Sequence, residues 1–171
     1  MDIQIFQFIN QFAGRWPAAD HLAIFWAQYS GYAALSILIA LAAFNKGRWF
    51  RVSLWALGAA FVSRFVATEL IRFFYDRPRP FEALDVTQLL SHSPEASLPS
   101  GHAAFYFALA WFLFFVNKKL GAIFLIAALL MGLSRIFVGI HYPGDIAAGF
   151  GVGLVSAALV YYLHKKWYSR G

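Results

Sequence analysis

Leu98-Pro99-Ser100-Gly101-His102 runs into an uncharged stretch, AAFYFALAWFLFFV, over residues 103–116. A turn rich in Pro, Ser and Gly thus opens directly onto a segment that is almost wholly apolar, the pattern of a helix buried in a membrane. At its start the backbone N–H groups lack intrahelical partners and the helix dipole is positive. That end favours an anion, and a phosphate is the natural guest.

The rest of the chain agrees with a bilayer setting. Of 171 residues, 61% are hydrophobic and 19% aromatic, and only 13% are charged. Several apolar runs approach the roughly 20 residues that cross about 30 Å of hydrocarbon. We expect an all-α fold, a polytopic transmembrane helical bundle with about five spanning helices. The predicted spans cover about 21–44, 51–75, 100–116, 121–138 and 143–163. Residues 1–16 interleave Ile5, Phe6, Phe8, Ile9 and Phe12 with Gln and Asn, which predicts an amphipathic helix lying in the interface. No repeat or linker divides the chain, so 1–171 reads as a single integral-membrane domain. The first twenty residues have no basic run before an apolar core and do not read as a cleaved signal peptide. With no cysteine, disulfides and thiolate metal sites are excluded.

The formal net charge of +6 is a topology signal. Five crossings leave Lys46, Arg48, Arg51, Lys118, Lys119, Lys165, Lys166 and Arg170 on one face with no acidic residue among them. The positive-inside rule makes that face cytoplasmic, with the C-terminus inside, and gives nucleic acid no part. The opposite face collects the end of the second helix, the long polar connection 81–99, and both ends of the tight connection 139–145.

Three polar segments meet on that outer face: Arg72-x6-Arg79-Pro80, Pro99-Ser100-Gly101-His102 and Ser134-Arg135-x5-His141-x3-Asp145. Three guanidiniums can bind phosphoryl oxygens bidentately and stabilise charge as it builds. Ser100 and the N–H groups beyond it complete an anion site. Asp145, four residues after His141, can hold one imidazole nitrogen and leave the other free to attack phosphorus.

In order and spacing these segments resemble the tripartite signature of the type 2 phosphatidic acid phosphatase (PAP2) superfamily. One departure is Arg72, where the family usually has Lys; charge is kept but geometry differs. The resemblance implies that His141 is a nucleophile forming a phosphohistidine, that Asp145 orients it, and that His102 is the general acid for the leaving oxygen. It further implies that Arg72, Arg79, Ser100, Gly101 and Arg135 bind the substrate phosphate, with no metal and no cofactor. The partners implied are membrane lipids and a polyprenyl or glycerolipid phosphate drawn from the bilayer. Within the family the chain is most similar to bacterial undecaprenyl-pyrophosphate phosphatases of the bacitracin-resistance type, although several of those carry Asp where Gly101 stands. An enzyme of that type acts at the outer face of the bacterial plasma membrane, releasing undecaprenyl phosphate and inorganic phosphate for cell-wall synthesis. The alternative substrates are phosphatidylglycerophosphate and phosphatidic acid.

Other readings of the same residues stand beside this one. Arg77 and Arg79 are also placed to snorkel at the interface, and only Arg79 gains support from its spacing. A Ser-Gly-His step alone is a helix cap. His102, His141 and Asp145 are metal-ligand types, but three nearby arginines disfavour a cation. Arg64 and Glu69 read as a structural ion pair, with Glu69 also able to brace Arg72. His21, His92 and His164 read as interfacial or loop residues. A non-catalytic lipid-phosphate binder or transporter, and a vanadate-dependent haloperoxidase, are the readings from other classes. The transmembrane composition speaks against the second.

Overall fold

In the computed structural model, which describes residues 1–44 and 47–168, helices and loops account for the whole of the described chain. The elements are α1 (Asp2–Asn10), α2 (Pro17–Ile24), α3 (Ser30–Phe44), α4 (Arg48–Phe61), α5 (Thr68–Phe74), α6 (Pro80–Ala83), α7 (Gly101–Val116), α8 (Lys118–Phe137) and α9 (Pro143–Tyr168). Two π-helical stretches, Phe25–Tyr29 and Val62–Ala67, join α2 to α3 and α4 to α5. Four helical stretches are long and apolar enough to cross a membrane: Pro17–Ala43, Arg48–Phe74, Lys118–Phe137 and Pro143–Trp167. The shorter Gly101–Val116 is the fifth apolar helix.

The spanning helices agree with the sequence pattern in number and order; three start about three to four residues earlier, the last ends later, and the other boundaries agree within one residue. The first starts at Pro17 rather than near 21, because proline is preorganised for the first helical turn and loses no bond there. The fourth starts at Lys118, capped by Asn117, whose Oδ1 accepts from Leu120 N at 3.0 Å. The last continues to Tyr168. Lys46 and Arg170, counted above among the basic residues of one face, lie outside the described residues. Arg48, Arg51 and Lys165 do gather at one end of the bundle, around Val116 and His164. His164 is neither a loop nor a bare interfacial residue: its ring packs on Tyr161, Trp55 and Phe112.

The central element is α7, which packs against α9, α8 and α4. Sixteen residues extend only about 24 Å, but a helix enclosed by three others need not match the bilayer on its own. Ala103, Ala104, Ala108 and Ala110 are fully buried, and these small side chains let the neighbours come close. The fit is tightest along α9. A β-carbon at Gly149 would sit 2.6 Å from the Ala103 methyl, and one at Gly153 would sit 2.7 Å from the Ala108 nitrogen. Gly151, between these two, faces open space instead.

The N-terminal helix does more than lie in the interface. Ile3, Ile5 and Phe8 are exposed, as an amphipathic surface helix requires, but Phe6 is fully buried with its ring edge-on to Tyr142. Asn10, also buried, donates from Nδ2 to the carbonyls of Thr87 and Phe137, and its Oδ1 accepts from Thr87 N. One amide side chain therefore ties α1 to the polar connection and to the end of α8.

Candidate active site

Each polar side chain of the site is positioned by a local feature. Arg79 is the N-cap residue of α6, where Pro80 fixes the first turn and Glu82 Oε2 accepts from Arg79 N at 2.9 Å. Its side chain, 1% exposed, donates from Nε to Glu95 O and from Nη1 to Ile140 O. Arg135 sits on the last turn of α8 and donates from Nη1 to Ala27 O at 3.0 Å, a carbonyl within the first π-helical stretch. Arg72, in the last turn of α5, donates from Nη2 to Pro99 O at 3.1 Å and lies 3.5 Å from Glu69 Oε1.

Ser100 is the N-cap of α7. Its Oγ accepts from Ala103 N at 3.5 Å, and its own N–H donates to Asp145 O at 3.0 Å, joining the starts of α7 and α9. A hydroxyl that accepts still carries a proton to donate. His102 is exposed on the first turn of α7.

His141 and Asp145 form the tightest arrangement. Both are buried, with His141 Nδ1 3.2 Å from Asp145 Oδ2. The same carboxylate oxygen accepts from Tyr142 N at 2.9 Å, which pins it across the first turn of α9. On the other side of the ring, Arg79 Nη1 lies 3.2 Å from Nε2. Arg79 has no acceptor orbital to offer, so Nε2 is the lone-pair nitrogen and Nδ1 carries the proton toward Asp145. Burial, then the charges of Arg135 and Arg79 and the neighbouring His92 and His102, hold the His141 imidazole well below its ordinary value of 6.5. The ring is neutral at neutral pH.

The structure brings together the arginines, histidines and aspartate picked out from the sequence. Arg79 is within electrostatic reach of Arg72, and Arg135 of both. Arg72 Nε and Arg135 Nε are buried and find no hydrogen-bond partner among the described residues. Buried N–H groups are rarely left so, since each unmet donor costs about 1–3 kcal/mol. Two such donors on guanidiniums point to an anion that completes them. Among the described residues no three His, Asp or Glu side chains are grouped to hold a metal ion.

Three placements differ from the sequence reading. Ser134 turns its hydroxyl back to Leu130 O on its own helix, away from the site. His92 is more than a loop residue, as its ring centroid is 6.4 Å from that of His141. Arg77, left open by its spacing, donates from Nη1 to Asp145 Oδ1 at 2.8 Å and from Nη2 to Asp2 Oδ2 at 2.7 Å, with its guanidinium 4.0 Å from the Tyr142 ring. Asp2 in turn accepts from Gly144 N at 2.8 Å, and Ser97 Oγ lies 3.4 Å from Asp145 Oδ1. The Asp145 carboxylate is therefore held from four directions.

Comparison with known proteins identifies the family. The PAP2 superfamily model matches residues 53–169. Over 161 residues the chain is 32% identical to undecaprenyl-diphosphatase BcrC of Bacillus subtilis, covering 94% of this chain and 83% of that one. It is 30% identical to the bacitracin transport permease protein BcrC of Bacillus licheniformis, over 97% and 82%. Among solved structures, LpxE of Aquifex aeolicus superposes with a TM-score of 0.76 at 29% identity, covering 93% of each chain. The chain belongs to the PAP2 superfamily and is a membrane phosphatase, a hydrolase of phosphate esters or anhydrides.

Proposed function

We propose that the protein hydrolyses undecaprenyl pyrophosphate to undecaprenyl phosphate and inorganic phosphate, at the outer face of a bacterial plasma membrane. The observation that carries the chemistry is His141, neutral, buried and held between Asp145 and Arg79. The substrate assignment leans on similarity to a protein named undecaprenyl-diphosphatase over nearly the whole chain.

Arg72, Arg79 and Arg135 grip the terminal phosphoryl group, together with Ser100 and the backbone at Gly101. Arg79 Nη1 lies 3.2 Å from His141 Nε2, so its N–H points at the lone pair there. A bound phosphoryl oxygen competes for that N–H and releases the lone pair beside the phosphorus, so the nucleophile is uncovered by the group it attacks. Nε2 then forms the N–P bond as the bond from phosphorus to the bridging oxygen breaks, and His102 protonates the departing lipid phosphate. In the second step His102 takes a proton from water, whose oxygen attacks the phosphohistidine to release phosphate and restore His141. Asp145 keeps the Nδ1 proton and balances charge on the ring. The guanidiniums supply the electrostatic stabilisation that cations give in other phosphoryl-transfer sites.

Phosphate release from detergent-solubilised undecaprenyl pyrophosphate, phosphatidylglycerophosphate and phosphatidic acid, each with and without EDTA, tests the assignment. The polyprenyl diphosphate is expected to be the preferred substrate, with activity indifferent to the chelator. A preference for the glycerolipids overturns the substrate, and loss of activity restored by a divalent ion overturns the metal-free scheme. Quenched enzyme should carry labelled phosphate on His141.

A further inference from the structure

Arg64 lies outside the three motifs, yet its guanidinium is at the site. It sits in the π-helical stretch Val62–Ala67, a winding that recurs at functional positions. The stretch is anchored: Ser63 Oγ donates to Ala104 O on α7, and Thr68 Oγ1 returns to Ser63 O, each at 2.9 Å. Arg64 lies against the first residue of α7. A β-carbon at Gly101 would be 2.5 Å from Arg64 Nε and 2.9 Å from Cζ, so the glycine is the space the guanidinium occupies.

Glu69 pairs with Arg64 Nη1 and also reaches Arg72. One half-exposed carboxylate thus bridges two guanidiniums, an arrangement that an oxygen of a phosphate group can reproduce. The position relative to the chemistry is specific. Arg64 lies against Gly101, the residue before His102, and its charge acts on His102 and on Arg72. Attack by His141 comes from one side of the phosphorus and the leaving group departs toward His102. Arg64 belongs to the departure side.

We propose that Arg64 is a second phosphate subsite, holding the inner phosphate of a lipid diphosphate, the group that leaves with the lipid, while Glu69 fills that subsite when substrate is absent. The proposal rests on the diphosphate-hydrolase reading above. On binding, the inner phosphate takes the Arg64 N–H groups from Glu69, and as the bridging P–O bond breaks the guanidinium neutralises the charge left on the lipid monophosphate. Selection of diphosphates over monophosphates follows from this residue rather than from the three arginines that hold the terminal group.

The test compares kcat/KM of wild type, Arg64→Gln and Arg64→Lys on a prenyl diphosphate and on the monophosphate of the same prenyl chain. Arg64→Gln is expected to lower the diphosphate-to-monophosphate ratio about ten- to a hundredfold, the value of a lost charge-assisted hydrogen bond; Arg64→Lys should recover part of it. A parallel measurement of inhibition by inorganic diphosphate and by orthophosphate should show the first weakening more than the second. Equal loss on both substrates with unchanged inhibition ratios makes Arg64 a structural partner of Gly101 and overturns the subsite. If wild type cleaves the glycerolipid phosphates and leaves the prenyl diphosphate intact, the substrate reading fails at the wild-type step, and the subsite fails with it.

Discussion

A neutral imidazole sealed between a carboxylate and a guanidinium has a consequence for stability as well as for attack. Below pH 6.5 an unfolded chain protonates this histidine while the folded protein does not, so the unfolded state binds more protons. Stability therefore rises with pH up to that value and is lost as pH falls beneath it, by at most about 1.4 kcal/mol per pH unit for one group. Burial lowers His92 as well, which adds in the same direction. We expect the melting temperature of the detergent-solubilised protein to fall between pH 7 and pH 5.5, and to fall less in His141→Gln. Parallel pH profiles for the two proteins would contradict this account. The residues we propose to carry the chemistry were legible because each motif is local: a guanidinium in the last turn of a helix, or a carboxylate four residues after a histidine. Arg77, Asp2, Ser97 and His92 were not, because their roles depend on how the connection 75–100 folds back. The N–H of Ser97 on the Arg77 carbonyl, at 2.8 Å, is such a return, and no spacing rule encodes it.

Among the elements, α1 and α7 departed most from what a hydropathy pattern conveys. An alternation of Phe and Ile with Gln marks a surface helix but not which apolar residue turns inward; burial of Phe6 and Asn10 is decided by the shape of the partner surface. Three hydrogen bonds run through the Asn10 side chain. Asn10→Ala should destabilise the protein by about 1–3 kcal/mol, since it leaves buried partners unmet, and should lower kcat more than it raises KM. An unaltered melting temperature and kcat would show that α1 is a passive surface helix. For α7 the apolar run located the helix, and only the tertiary arrangement explains its shortness: three neighbours cover it, and Gly149 and Gly153 on α9 admit it closely. The π-helical stretches had no signal in the sequence, because hydrophobic periodicity over five or six residues does not separate a π turn from an α turn.

At the scale of the whole molecule, the helices arrange polar groups at opposite ends. One end holds Arg79, Arg135, His141 and Asp145, and the other gathers Arg48, Arg51 and Lys165. The positive-inside rule assigns the second end to the cytoplasm, an orientation we propose from charge alone. The chain contains no cysteine, so single substitutions report cleanly. In intact bacteria a membrane-impermeant thiol reagent should label Ser93→Cys without permeabilisation and Lys119→Cys only after it; the reverse pattern would invert the protein. The link from Asp2 through Arg77 to Asp145 also bears on how the protein is handled. Since Asp2 helps to hold the carboxylate behind the proposed nucleophile, an affinity tag or fluorescent fusion placed just before it would tug on the proposed reaction centre. Purification handles belong at the opposite terminus.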